Sequence, residues 1–433
     1  MNNLKKSYFY LNSFCLLVYG YKKAVIYNLL DGDVFWLDDK ASKILKYIKL
    51  PISDIIEKCK LTGINKETAL NLFSELVELN IGTFSDKKLF VDNIHNNFKK
   101  DSYDKELVDL KRVSIRVTDK CGLDCFFCNT NQNTICFPCS RKSQKNDRIF
   151  SMRDLQDLID DISQFNCPEV TFIGGDPLKE NGNFMDVLKY TANRIPNTYV
   201  FTNLISLSDY QVKDICTLPN VQLIIPLFSP DEASFKSICR KDNVLERILT
   251  NISNLREKKV KMSILFFKTK RDFDNGFVSS LLKDQEDFSI LSPTPLIKDI
   301  NISKYSDGFI IEDEDSFVVD LNSFFENNIY NSCLGRRITV DLNGDVKPCL
   351  YSNISFGNIF EKRLNKILRS GVQDRLWHLK KDLIETCNGC EFRYCCKHDC
   401  IVAANNINGK INTKYPFCNY DPQDGDWKNK KGE

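Results

Sequence analysis

Hydrophobic and polar positions alternate in three different rhythms along the chain. Residues 24–38, AVIYNLLDGDVFWLD, read as two β-rich runs joined across Asp31, Gly32 and Asp33, a hairpin signal. Three helical patterns follow: DKASKILKYIKL, PISDIIEKCKL with a proline in its first turn, and NKETALNLFSELVELN with Asn65 as its predicted cap. IGTFSDKKLFVDN then reads as a small wing. Together these elements predict a winged-helix-like α+β domain over 1–93, a size that folds alone. Residues 94–112 are polar and poor in strand signals, and read as a linker.

From Val113 the rhythm becomes strand and helix in turn. VSIRVTD, EVTFIGG, TYVFTNLI, VQLIIPLF, VKMSILFF and FSILSPTPLI are strand-like, with helical segments such as NFMDVLKYTANRI and VLERILTNISNLREKK between them. That alternation predicts an α/β fold, a partial (β/α)6 TIM-like barrel over 113–310, built from right-handed βαβ units with its site at the carboxyl ends of the strands. Over 311–433 the alternation fades and cysteines crowd a tail with little periodicity, the pattern of a segment held by metal.

Composition narrows the chemistry. A net charge of +2 exerts no global pull on nucleic acid or membrane, and no run approaches the ~20 apolar residues of a spanning helix. The N-terminus carries no signal-peptide pattern, so the expected location is cytoplasmic. Eighteen cysteines in a reducing compartment point to metal or iron-sulfur ligation rather than disulfides. Cys15, Cys59, Cys167, Cys216 and Cys239 stand in apolar surroundings and read as small buried hydrophobes.

The stretch CGLDCFFCNTNQNTICFPC, residues 121–139, follows the first barrel strand. Three close thiolates leave one iron of a four-iron cluster open to a non-protein ligand. Cys121, Cys125 and Cys128 in CGLDCFFC resemble the CX3CX2C signature of the radical S-adenosylmethionine (radical SAM) enzymes, with Phe127 as the aromatic residue before the last cysteine. Gly174, Gly175, Asp176 and Pro177 stand where that family has GGEP, after the second strand, with aspartate in place of glutamate. Two glycines there let backbone groups approach the methionine moiety of SAM. Arg240 is a candidate for the SAM carboxylate, against the plain reading of a surface arginine. Pro226 stands where many relatives have serine, and nearby Ser229 is not a position match.

The tail is similar to the SPASM domain of radical SAM maturases, through Cys333, Gly344 and Cys349, then Cys387, Cys390, Cys396 and Cys400, then Cys418. The resemblance implies one auxiliary [4Fe-4S] cluster on Cys387, Cys390, Cys396 and Cys418, and another on Cys333, Cys349 and Cys400. No eighth cysteine stands just before Cys333, which leaves room for a substrate thiolate. Cys395 is a rival ligand, and His398 reads as a solvated loop residue. Zinc is the alternative metal for such a tail taken alone.

The N-terminal elements resemble the small domain that binds leader sequences in ribosomal peptide maturation, where an extended peptide adds to a strand edge. A winged-helix nucleic-acid binder has similar elements, but NKETALNLFSELVELN is apolar and acidic, which disfavours nucleic acid. The expected whole is a radical SAM peptide maturase: SAM cleavage gives a 5′-deoxyadenosyl radical that takes hydrogen from a precursor peptide. A thioether or carbon-carbon cross-link results, with electrons from a donor such as a flavodoxin or ferredoxin. The alternatives are a side-chain maturase of the anaerobic sulfatase-activating type, or a non-enzymatic iron-sulfur or zinc protein. Cys136 and Cys139 fall outside the family pattern, and replacing both is expected to spare SAM cleavage.

Overall fold

The computed structural model describes residues 7–91, 108–128, 135–139, 150–179, 183–229, 231–267, 288–291, 294–295 and 317–428. Most of the predicted linker, residues 94–107, and the 310/311 domain boundary lie outside the described residues.

In the N-terminal unit, β1 (Tyr8–Leu11) pairs antiparallel with β5 (Gly82–Ser85), while β2 (Cys15–Tyr19), β3 (Ala24–Asn28) and β4 (Val34–Leu37) form a three-stranded sheet with β3 central. The predicted hairpin is β3–β4. Three helices follow, α1 (Asp39–Leu45), α2 (Ile52–Lys60) and α3 (Lys66–Glu78). Asn65 caps α3 as expected, its side chain accepting from the Thr68 amide at 2.8 Å. β1 and β2 were not legible in the polar-apolar pattern.

All five residues of β3 are buried, because its two faces serve two cores. Ala24 and Ile26 pack with the three helices, whereas Val25 and Tyr27 join the main core shared by barrel and tail. Tyr27 Oη donates to the Glu391 carbonyl at 2.5 Å, the Tyr21 amide donates to the Gly389 carbonyl at 2.7 Å, and Arg393 donates to the Tyr19 carbonyl at 2.8 Å. The unit is thereby docked on the turn that carries Cys387, Cys390 and Cys396.

The barrel strands are β6 (Arg112–Thr118), β8 (Glu169–Gly174), β9 (Asn197–Phe201), β10 (Val221–Leu227), β11 (Met262–Phe267) and β12 (Phe288–Leu291), parallel and in sequence order. A short strand, β7 (Ile135–Cys136), pairs with β13 (Thr294–Pro295). The described helices between the barrel strands are α4 (Met152–Ser163), α5 (Phe184–Ala192), α6 (Asp209–Cys216), α7 (Glu232–Cys239) and α8 (Leu245–Glu257). Ser151 opens α4 with a reciprocal capping box to Asp154.

The fading of alternation after residue 330 hides a continuation of this sheet. After α9 (Leu321–Ile329), β14 (Arg337–Val340) lies parallel to β6 in the register Ile338↔Val113, and β15 (Asp345–Lys347) and β16 (Gly357–Asn358) extend it antiparallel. The tail ends with α10 (Leu364–Leu368), α11 (Asp374–Trp377), α12 (Ile401–Asn408) and the hairpin β17 (Tyr420–Asp421) with β18 (Asp426–Trp427). No helix among the described residues is long and apolar enough to cross a membrane.

Candidate functional site

The loop after β6 carries Cys121, Cys125 and Cys128 to the carboxyl end of the barrel. The C-terminal turn of α7 fixes it: the Asp124 amide donates to the Cys239 carbonyl and the Phe126 amide to the Ile238 carbonyl, both at 3.0 Å. The Cys128 amide donates to the Cys125 carbonyl at 3.0 Å, bending the CX2C half back on itself. Lys179 Nζ holds the Cys121 carbonyl at 2.8 Å, and Asn203 Nδ2 donates to Cys121 Sγ at 3.3 Å. All three thiols line one pocket with Gly174, Gly175 and Asn203.

Cys139 lines the same pocket, and its backbone bridges to Gly174. The Cys125 thiol is pushed well up by its hydrogen bond with Cys128, by burial and by the neighbouring thiols; Cys139 is raised for the same reasons. Such a nest disfavours ionisation until positive charge arrives, which is what iron supplies. The donor set therefore fits an iron-sulfur cluster.

Both glycines are demanded first by the protein itself. Gly174 has φ +137°, and a Cβ there would stand 2.2 Å from the Thr118 carbonyl oxygen; one on Gly175 would stand 2.3 Å from that of Lys120. Their pairing with the end of β6 sets Asp176 and Pro177 behind the cysteine loop, with the Asp176 amide donating to the Lys120 carbonyl at 2.8 Å. Asp176 is fully buried; Oδ1 accepts from Thr202 at 2.7 Å, while Oδ2 has no hydrogen-bond partner among the described residues. Burial lifts its carboxyl to about 6. Asp176 does not itself line the pocket, but it directly follows Gly174 and Gly175, which do, and an unpartnered buried oxygen there suits a cationic group such as the ammonium end of SAM.

Phe127 is buried in an aromatic cluster with Phe137, 5.5 Å between ring centroids, and Phe228, 5.7 Å. Pro226, which stands where many relatives have serine, lines the pocket without a hydroxyl to offer, while Ser229 is engaged with Asp231 at 3.1 Å. Arg240 is exposed at the left-handed C-cap of α7, φ 56°, and is not among the residues lining the pocket.

The tail forms two further groups. Cys387, Cys390, Cys396 and Cys418 line one pocket with Lys381, Phe392 and Tyr420. Burial is the main force raising Cys387 to about 12, opposed by Lys381. Burial works against the charge of Lys381, but Asp399 at 3.4 Å, Cys396 and Cys387 together raise its pKa. Cys333 and Cys349 are each raised to about 12 by burial first and then by Cys400. Cys400 caps α12, its Sγ accepting from the Ala403 amide at 3.4 Å.

Cys395 turns away from these groups, its Sγ reaching the Phe392 carbonyl at 3.3 Å beside Tyr27. His398 is partly buried and stacked on Tyr415 at 5.7 Å rather than solvated, because the tail folds back over it. Cys216 is exposed, whereas Cys15, Cys59, Cys167 and Cys239 are buried as expected. Asn203 and Lys179 were not singled out from the sequence, and Cys139, set outside the family pattern there, lines the pocket of the three cysteines; the FTN of the third strand was visible, but contact with Cys121 Sγ requires three-dimensional proximity.

A cavity of about 460 Å³ inside the barrel is lined by Ser114, Thr171, Tyr199 and Phe201, and on its tail side by Cys349 and Tyr351. Phe201 borders both this cavity and the cysteine pocket.

Residues 115–274 match the radical SAM superfamily and residues 332–391 the SPASM iron-sulfur cluster-binding domain. GTP 3′,8-cyclases are similar over part of the chain: that of Clostridium perfringens is 29% identical over 168 residues, 38% of this chain and 48% of its own length. That of Lactiplantibacillus plantarum is 29% identical over 178 residues, 40% and 49%. The chain thus spans about half the length of these curated relatives. Among solved structures, Streptococcus suis SuiB bound to precursor peptide SuiA superposes with a TM-score of 0.53 at 15% identity, covering 94% of this chain and 98% of that one. The structure of anSMEcpe with bound AdoMet superposes with a TM-score of 0.52 at 14% identity, covering 70% and 90%. With both domains matched, and with the cysteine loop at the barrel mouth and the tail cysteines gathered behind it, the chain is a radical SAM enzyme carrying a SPASM iron-sulfur domain.

Proposed function

We propose that the chain modifies a ribosomally made precursor peptide, forming a thioether or, second, a carbon-carbon cross-link. The observation that carries this reading is the docking of the N-terminal sheet on the Cys387–Cys396 turn through Tyr27, Tyr21 and Arg393. A peptide held by that sheet has its following residues delivered to the barrel rather than to bulk solvent. β4 has no strand paired on its outer side among the described residues, so its edge offers main-chain donors and acceptors to an extended leader. SuiB, of similar fold, is bound to a precursor peptide.

In this reading Cys121, Cys125 and Cys128 hold the SAM-binding cluster, and Cys387, Cys390, Cys396 and Cys418 a fully ligated auxiliary one. Cys333, Cys349 and Cys400 hold the other. When bound, the clusters and SAM supply one-electron chemistry and a hydrogen-abstracting radical. The chain's own residues do the rest. Asn203 and Lys179 orient Cys121; Asp176 receives a cationic group on its unpartnered oxygen; Phe127, Phe137, Phe201 and Phe228 exclude water. The 460 Å³ cavity receives the target side chain between the cysteine pocket and Cys349.

The test is anaerobic incubation of the reconstituted full chain with SAM, reductant and a short cysteine-containing peptide encoded beside its gene. Loss of two hydrogens from the peptide supports cross-linking. Conversion instead of a lone cysteine or serine in a leaderless peptide would favour side-chain maturation of the sulfatase-activating type.

A further inference from the structure

Cys136 and Cys139 belong to one short segment laid between the two ends of the molecule's chemistry. The strand ends at Cys136 and the backbone bends at Pro138, and the two thiols line different pockets. Cys139 bridges to Gly174 and lines the pocket of Cys121, Cys125 and Cys128. Cys136 faces the tail. It pairs with Thr294 in β7–β13 and shares the wall of the barrel cavity with Cys349. The following residue is clamped: the Phe137 amide donates to Tyr351 Oη at 3.2 Å, and that hydroxyl donates to the Phe137 carbonyl. Tyr351 lies two residues after Cys349, so this double hydrogen bond locks the two cysteine-bearing segments together. Cys349, across the cavity wall from Cys136, is grouped with Cys333 and Cys400 by the spacing of the tail cysteines. These are the three tail cysteines for which the sequence offers no neighbouring fourth.

We propose that Cys136 is the fourth cysteine ligand of the auxiliary cluster carried by Cys333, Cys349 and Cys400, which closes that cluster to a substrate thiolate. The inference rests on the reading that those three hold a cluster. Ligation releases the Cys136 thiol proton to solvent and places a sulfur lone pair on iron in place of water; no electron changes hands. Four thiolates complete the usual ligand set of a four-iron cluster. The auxiliary cluster is then an electron relay, and a peptide cysteine meets the radical in the cavity without binding iron.

The test uses the full chain with Cys121, Cys125 and Cys128 all replaced by alanine, so that only auxiliary clusters contribute after anaerobic reconstitution. Iron and sulfide content and the reduced electron paramagnetic resonance spectrum are read with and without cyanide. The expected result is two four-iron clusters and a spectrum indifferent to cyanide. Adding Cys136→Ala should change one signal and make it cyanide-responsive, or lose that cluster's iron, while the signal from the Cys387 group persists and reports an intact fold. Cys136→Ser should keep the iron with an altered signal, and Cys139→Ala in the same segment should leave both auxiliary signals unchanged. A cyanide response with Cys136 intact, or an unchanged spectrum and iron content in Cys136→Ala, overturns the proposal. Unchanged iron in Cys333→Ala would instead remove the cluster assignment beneath it.

Discussion

Asn203 donates its side-chain amide to Cys121 Sγ at 3.3 Å, so a residue at the end of the third barrel strand touches the first cysteine of the loop after the first strand. Hydrogen bonds to a ligating sulfur stabilise its negative charge and fix its direction. Asn203→Leu is therefore expected to lower SAM cleavage by about 10- to 100-fold and to shift the potential of the SAM-binding cluster downward. The measurements are 5′-deoxyadenosine formation and a redox titration. Asn203→Gln, if its amide reaches the sulfur, restores part of both; an unchanged potential in Asn203→Leu would refute the role.

Asp176 gives a pH dependence of definite sign. Burial raises its pKa from 3.8 to about 6, so the folded chain without SAM binds this proton more tightly than the unfolded chain does. Its contribution is favourable below about pH 4 and is lost as pH rises through about 6, an effect of up to about 3 kcal/mol. Asp176→Asn should flatten that part of the stability profile in thermal melts of the SAM-free protein. SAM affinity should run the other way, tightening as Asp176 ionises, and Asp176→Asn should weaken it by about ten-fold at neutral pH. A SAM affinity independent of pH between 5 and 7 in the native chain would contradict this.

Tyr27→Phe removes the hydroxyl that meets the Glu391 carbonyl, in a fully buried position. The expected cost is about 1–3 kcal/mol, because the carbonyl keeps its place away from water. The measurements are chemical denaturation and peptide conversion. Conversion should fall more than SAM cleavage, since the docking of the N-terminal unit weakens while the cysteine pocket is untouched.

Gly174→Ala places a methyl group 2.2 Å from the Thr118 carbonyl oxygen at a φ of +137°. The β6–β8 register must break or shift, so soluble yield and reconstituted iron should both collapse. Gly409→Ala, at a C-cap where a Cβ meets nothing within 4 Å, should cost about 1 kcal/mol through its positive φ alone and serve as the control.

The barrel was legible because each strand is a short apolar run followed by a helix, and that rhythm survives in any βα array. The cysteine groups were legible because thiol spacing is written directly in the chain, and Cys387, Cys390, Cys396 and Cys418 do converge. β1 and β2 were hidden since YFYL and CLLVY border one another across polar residues with no hairpin signal. β14 was hidden for another reason: it joins β6 across more than two hundred residues, and no local pattern encodes such a partner. Cys136 looked idle because Cys349, with which it shares a cavity wall, lies far along the chain. The glycines of GGDP were read toward the cofactor, whereas the nearer demand is the backbone of β6.

The parallel pairing of β14 with β6 makes the tail part of the barrel's own hydrogen-bonded lattice, in register from Arg337↔Arg112 to Val340↔Ile115. A ladder of backbone bonds is far stiffer than a hinge. Cys121 follows the carboxyl end of β6 and Cys333 precedes β14 by a few residues, so the sheet register constrains how far apart these two cysteine-bearing segments lie. Under the cluster assignment proposed above, that register fixes part of the path an electron would take between the two, because the strands that carry their cysteines are bonded rung by rung.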